Sequence, residues 1–495
     1  MRQRPDLSLR DVALTSQTYR RHFPHRLAVA ARDVPAALAG LRRARARTAA
    51  RRPRVVFLFP GQGAEFAAMA RGLYQHYPSV RADLDHGAEL LAPVLGLDLR
   101  DVLVDDDPHG VVHRTDVTQP ALALYEVALG RLLMSWGVRP AAMIGHSVGE
   151  FPAAALAGEL SDDDMLRLVA ARGRLMQDTP EGHLLAVLAG PSTVATHLAG
   201  LDELDIAAHN APEVTVVAGP PAQLATFRER LGVAEVPCRA LPAQRAFHSR
   251  MMADAARLLG VEADRVTHRP RTIPVVSSVD GALLDAGRPR AAGYWAAQMR
   301  SPVRYHDALL TALDRPDPVL VEVGPGTTLT SMARQTPQGR HVPGFAVQPR
   351  PTQRADAADV LAGLGGLWTA GVPVDWAAVR GDTRARRVAL PTYPFARTRH
   401  WLDATPAPVP DDVEPAPPPA TAGEGTVLGE IVQLWGRLLG SPDIGPDTNF
   451  FTVGGESLLF IRMVNQVQRR FAVRIPMEQL SAEPTPRILA ELVTP

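Results

Sequence analysis

Between Thr405 and Thr426 the chain carries seven prolines and few apolar side chains, in the run TPAPVPDDVEPAPPPATAGEGT. Proline fixes φ and removes a backbone donor, and a stretch with so little to bury cannot offset the entropy of ordering itself. Residues 403–426 are therefore expected to form an extended, semi-rigid tether. The rest of the chain is divided by it. A large unit of roughly 400 residues precedes the tether and a small one of about 70 follows, so no single core serves the whole chain.

Composition narrows the possibilities. At 495 residues and 46% hydrophobic content there is material for ordinary globular cores, and no apolar run reaches the ~18 residues of a membrane span. Met1 to Arg10 is polar and no apolar core follows it, unlike a signal peptide. The single cysteine, Cys238, excludes an internal disulfide and a cysteine-based zinc site. It suits a reducing, cytoplasmic setting, and no metal site is expected. All 53 basic residues are arginine, which rules out Schiff-base and P-loop lysine chemistry. A net charge of +1 gives no general attraction to nucleic acid. The arginine cluster from Arg42 to Arg54 lacks interleaved aromatics and reads as a solvated helix and linker.

In the large unit, apolar runs end repeatedly in glycine turns. Val55 to Phe59 runs into PGQG, Ala142 to Ile144 into GHSVGE, and Val319 to Val323 into GPG. Short all-apolar strands alternating with helix-favouring segments predict a parallel α/β sheet. Between about 183 and 240 the order changes to βαββαβ: HLLAVLAG, PSTVATHLAG, DIAAHN, VTVVAG, PAQLATFRERL and EVPCRA. That is the order of a ferredoxin-like subdomain, inserted because α/β-type segments resume at IPVVSS, residues 273–278. The small unit reads as three helices, TVLGEIVQLWGRLLG, GGESLLFIRMVNQVQRRF and PTPRILAELV.

Gly145-His146-Ser147-Val148-Gly149 is a G-x-S-x-G turn between a predicted strand and helix. Glycines let the backbones approach, and the turn lifts the serine hydroxyl to a helix N-terminus where an oxyanion is stabilised. Ser147 is thus a candidate nucleophile, against the plainer reading of a capping serine. A nucleophilic serine needs a base. Of the 15 histidines, His248 follows the last strand of the inserted subdomain, where the chain returns toward the turn. His146, His209 and His306 also lie near turns, so spacing alone does not single it out.

The segments FLFPGQG, GHSVGE, ARGRLMQ, AFHSRMM, VEVGPG and LPTYPFARTRHWL occur in the order seen in acyltransferase domains of modular polyketide synthases. Over residues 8–402 the chain resembles these domains, and it is similar to the malonyl-CoA:carrier-protein transacylases of fatty acid synthesis. The resemblance implies an acyl-serine at Ser147, His248 as base and acid, and an oxyanion hole from the backbone N–H groups of Gln62 and Val148. It also implies that Arg172 binds the free carboxylate of a dicarboxylic acyl group, and that Phe247 with Val148 selects malonyl over methylmalonyl. Two departures from the pattern are Arg245, where malonyl-type members usually have histidine, and GQGAE in place of GQGSQ. In the small unit GGESLL, preceded by NFFTV, resembles a phosphopantetheine carrier, with Ser457 as attachment point for 4'-phosphopantetheine and Glu456 where aspartate is usual. Seven acidic and six basic residues from Val427 onward make it less acidic than a fatty-acid carrier.

The expected fold is an α/β-hydrolase-like parallel-sheet domain with an inserted ferredoxin-like subdomain, plus a C-terminal helical-bundle carrier. The expected division is a ketosynthase-to-acyltransferase-type linker at 1–54, the transferase at 55–345 and a post-acyltransferase linker at 346–402. The tether at 403–426 and the carrier at 427–495 complete it. Expected partners are malonyl-CoA or a related acyl-CoA, a phosphopantetheinyl transferase, and ketosynthase or other synthase subunits on separate chains, with neither nucleic acid nor membrane. Two enzymatic alternatives stand beside this: a loading didomain for a monocarboxylic starter unit, which Arg172 opposes, and a serine thioesterase or hydrolase. A scaffold with a degenerate transferase is opposed by the intact Ser147, His248 and Arg172.

Overall fold

A computed structural model describes residues 7–291, 293–348, 357–381, 384–396, 426–441, 444–453, 455, 457–476, 480 and 484–494. The tether, the end of LPTYPFARTRHWL, and Gly454 and Glu456 of the carrier motif lie outside the described residues.

Near the N-terminus β1 (His25–Arg26) and β2 (Arg47–Thr48) pair antiparallel. The apolar run expected at 55–59 forms β3 (Arg54–Phe59), and β4 (Pro140–Gly145) leads into the G-x-S-x-G turn. Between them lies the helix α1 (Thr115–Ser135), buried along almost its whole length. After the turn come α2 (Glu150–Leu156) and α3 (Asp162–Gln177). Ser161 caps α3 by accepting from the Asp164 N–H at 3.1 Å, and three aspartates in its first turn complement the helix dipole.

The insertion is β5 (His183–Val187), α4 (Pro191–Leu198), β6 (Asp205–Ala211), β7 (Val214–Gly219), α5 (Pro221–Val233) and β8 (Cys238–Ala240). All pairings are antiparallel, in the order β6-β7-β5-β8, around a separate apolar cluster that includes Val187, Val217, Phe227 and Leu231. The last strand is shorter than EVPCRA suggested. The main sheet resumes with β9 (Val275–Val276), much shorter than IPVVSS, and β10 (Leu283–Leu284). It finishes with β11 (Pro318–Pro325) and β12 (Gly344–Gln348). Its order is β10-β9-β4-β3-β11-β12, parallel except at the β10 edge. The central β3 places Val56 beside Ala142 and Leu320, with the interior of the strand fully buried; helices cover both faces, as a parallel sheet requires.

Extended residues after the sheet fold back on the N-terminal helix Leu9–Thr18. The Arg386 N–H donates to Asp11 at 2.7 Å, the Val388 N–H to Thr15 Oγ1 at 3.0 Å, and Arg20 to the Leu390 and Pro391 carbonyls. The small unit packs α6 (Val427–Leu439), α7 (Ser457–Phe471) and α8 (Pro486–Val493) around Trp435, Phe450, Met463 and Leu489, a core of its own. Among the described residues no helix is long and apolar enough to cross a membrane.

Candidate active site

The glycines of the turn between β4 and α2 are demanded by contact. A β-carbon at Gly145 would run into the backbone of Gly149 and Glu150, and one at Gly149 into the carbonyls of Phe59 and Pro60. At Gly61 it would lie 2.8 Å from the His146 carbonyl. The approach at Gly145 tightens the turn itself, and those at Gly149 and Gly61 clamp the loop after β3, which carries Gln62, against the turn that carries Ser147 and Val148. Ser147 sits at the apex with φ 53°, a left-handed conformation that costs a non-glycine residue about 1–3 kcal/mol.

Ser147 Oγ lies 2.6 Å from His248 Nε2, and His248 Nδ1 lies 2.9 Å from the Ser301 carbonyl. A carbonyl only accepts, so Nδ1 carries the ring proton and Nε2 is left to accept from the serine hydroxyl. The orienting group is main chain, not a carboxylate. His248 also has a left-handed backbone, φ 56°, and is 5% exposed. Burial, reinforced by the positive charge of Arg172 and by His146, pushes its pKa down to about 3, so the imidazole is neutral at neutral pH.

Arg172 reaches the same oxygen from α3. It is 1% exposed; NH2 donates to Ser147 Oγ at 3.1 Å and NH1 to Gln119 Oε1 at 2.6 Å, and the guanidinium lies 5.8 Å from the Phe151 ring centre. Burial lowers its pKa to about 9, against the charge of Glu150, so it stays a cation. Among the described residues no carboxylate pairs with it. Glu150 is engaged by Arg290, Tyr294 and Ser278, and Glu159 by Arg271 and Arg290. A buried cation without an anion is costly.

Phe247 is buried in the same apolar cluster as Val148, Phe151 and Met176. Arg245 bonds the Gln177 and Gln244 carbonyls at 2.9 and 2.8 Å, which ties its guanidinium to backbone beside that cluster. The Gln62 side chain donates to Thr115 Oγ1 at 3.3 Å. The structure therefore brings Ser147, His248 and Arg172 to one oxygen and the Gln62 loop against the turn.

Four further groups support the site that spacing did not reveal. Gln298 Nε2 donates to the Ser147 carbonyl at 2.7 Å, and His146 Nε2 lies 2.8 Å from Asn210 Oδ1 on β6, across the seam between sheet and insertion. Ser301 and Gln119 are the others. All are distant in sequence from what they hold.

Residues 56–372, more than half of the chain, match the family described as acyl transferase domain. A phenolphthiocerol/phthiocerol polyketide synthase of Mycobacterium tuberculosis is 36% identical over 425 residues, covering 82% of this chain and 28% of that protein. The chain belongs to the polyketide synthase acyltransferase family. Polyketide synthase GfsA of Streptomyces halstedii is 33% identical over 508 residues, 98% of this chain and 7% of that protein. The chain spans little more than a quarter, or less, of these curated relatives. Among solved structures, the acyltransferase domain of SpnD, in complex with 2-(pent-4-yn-1-yl)malonyl, superposes with a TM-score of 0.70 at 36% identity, covering 75% of this chain and 90% of that one. The malonyl-CoA:acyl carrier protein transacylase of Xanthomonas oryzae gives 0.57 at 28% identity, covering 64% and 98%.

This acyltransferase is followed by a carrier. Residues 429–493 match the phosphopantetheine attachment site family, which bears 4'-phosphopantetheine on a serine, and residues 1–41 match a family described as CurL-like, PKS C-terminal. Ser457 is the first residue of α7, and a β-carbon at Gly455 would collide with the Phe450 ring, so the chain is pressed onto the core just ahead of the serine.

Proposed function

We propose that the chain takes a malonyl group from coenzyme A onto Ser147 and delivers it to the thiol of a carrier, either its own at Ser457 or one on another chain. His248 Nε2 accepts the Ser147 proton as Oγ attacks the thioester carbonyl. The N–H groups of Gln62 and Val148 bind the developing oxyanion. As the tetrahedral adduct collapses, the C–S bond breaks and the sulfur of coenzyme A leaves with the proton returned by His248. In the second half His248 again takes a proton at Nε2 and gives it back to Ser147 Oγ as the ester breaks. When bound at Ser457, 4'-phosphopantetheine supplies a terminal thiol on a flexible arm as acceptor.

The observation that carries this reading is Arg172: a buried guanidinium bonded to the Ser147 oxygen and, among the described residues, lacking a carboxylate of its own. A planar fork at that position supplies both charge and orientation for the free end of a dicarboxylic acyl group. Phe247, buried in the same apolar cluster as Val148, supports malonyl over a branched unit, a choice worth ~1–3 kcal/mol per methyl. The contacts of 384–396 with the N-terminal helix support 1–54 and 346–402 as flanking linkers of a transferase at 55–345, with 427–495 as carrier. Ketosynthase subunits and a phosphopantetheinyl transferase are the partners this function requires.

Intact-protein mass spectrometry on the pantetheinylated chain, offered malonyl-, methylmalonyl- and acetyl-CoA, tests the reading. Malonyl should appear at both serines, the carrier signal should vanish in Ser457→Ala, and Ser147→Ala should lose loading. Rapid hydrolysis without carrier loading would identify a hydrolase instead, and pantetheinylation of Ser457→Ala would overturn that attachment point.

The pH dependence follows from the imidazole. A base works only unprotonated, and this fraction is full above its pKa and lost below it. With the folded value held far beneath the ordinary 6.5, kcat/KM for Ser147 acylation should stay level from about pH 8 to about pH 5. Stopped acylation reactions across that range check it; an acidic limb near the ordinary histidine value would contradict it.

A further inference from the structure

Arg172 is held by a neutral partner, and that determines how much charge it offers. Gln119 is 1% exposed; its Oε1 accepts from Arg172 NH1 at 2.6 Å and its Nε2 donates to Met176 Sδ at 3.3 Å. The thioether only accepts, so it orients the amide with its oxygen toward the guanidinium. The helices carrying these residues meet backbone to backbone. A β-carbon at Gly173 would lie 2.9 Å from the Thr115 carbonyl and 3.0 Å from Asp116 Cα, so α1 and α3 are pinned together one residue from Arg172.

A glutamate at 119 would satisfy the same NH1 group with a stronger bond and would fit the same space. It would also neutralise the cation. Glutamine supplies the geometry alone. Among the described residues, the carboxylate felt at Arg172 is that of Glu150, already engaged by Arg290, Tyr294 and Ser278.

We propose that Gln119 is a positioning residue that sets acyl selectivity: its neutral amide fixes the Arg172 guanidinium and reserves the full positive charge for the carboxylate of the incoming acyl group. The proposal rests on the reading of Arg172 as the carboxylate receptor, and the experiment separates the two.

The full chain carrying Gln119→Glu, Gln119→Met or Arg172→Ala is offered malonyl-CoA and acetyl-CoA, and Ser147 acylation is followed by intact mass. Gln119→Glu should lower the ratio of malonyl to acetyl kcat/KM about 100-fold, chiefly through a raised KM for malonyl-CoA. Gln119→Met keeps the bulk but removes the acceptor, and should lower the ratio about 10-fold. Equal losses for both thioesters in Gln119→Glu, or no change in either, would overturn the proposal by showing a merely structural or idle residue. Should Gln119→Glu fail to fold, the ratio in Gln119→Met decides: lowered, it supports the proposal; unchanged, it overturns it. If Arg172→Ala itself leaves the ratio unchanged, the Arg172 reading falls.

Discussion

Alanine at Ser147 is expected to remove the acyl-enzyme altogether, and alanine at His248 to slow its formation about 10³-fold. The serine is the only hydroxyl that meets both His248 and Arg172 among the described residues, at 2.6 and 3.1 Å. Without it there is no oxygen to esterify. Without the imidazole the hydroxyl remains, still donated to by Arg172 and still beside the Gln62 loop, so attack continues with water as the only proton acceptor. Rapid mixing with malonyl-CoA, acid quenching and mass measurement of the transferase unit reads both variants. Less than a tenfold loss in His248→Ala would mean that the 2.6 Å contact is not the route of the proton.

The second large effect is selective. Arg172→Ala should cut malonyl transfer about 10³-fold while acetyl transfer falls less than about tenfold. Breaking a buried, hydrogen-bonded charge pair costs about 3–5 kcal/mol, and each ~1.4 kcal/mol is a factor of ten. Acetyl has no carboxylate to leave stranded, so it loses only the Arg172 bond to Ser147 Oγ and the packing around α3. Parallel kcat/KM measurements with the two thioesters check this. Equal losses would make Arg172 a structural residue and favour a monocarboxylic starter unit.

Much of the scaffold was legible because it is written locally. A short apolar run ending in glycines gives a strand entering a tight turn, and the collisions a β-carbon would meet at Gly145 and Gly149 show why those glycines stand there. The βαββαβ order of the insertion and the three carrier helices were legible for the same reason. Arg172 was harder. It shares α3 with Arg174, and nothing in the spacing says that the first is buried and the second exposed; the surrounding motif distinguished them. Gln119 escaped because a glutamine before Pro120 looks like the end of a helix, whereas both lie inside α1. Gln298, Ser301 and Asn210 escaped because each meets its partner across a long stretch of chain, 151, 53 and 64 residues. Such contacts are made by topology and leave no periodic trace.

The order of the site's parts along the chain limits how these proteins can be recombined. The turn that carries Ser147 precedes the insertion and His248 follows it, while His146 and Asn210 join the two lobes by a hydrogen bond across the seam. The insertion is thus no detachable accessory. A crossover anywhere between 147 and 248 would marry a serine from one parent to a histidine from another, through a seam whose two sides had no shared history. Exchange of acyl selectivity between synthases is expected to succeed when the whole lobe pair travels as one piece.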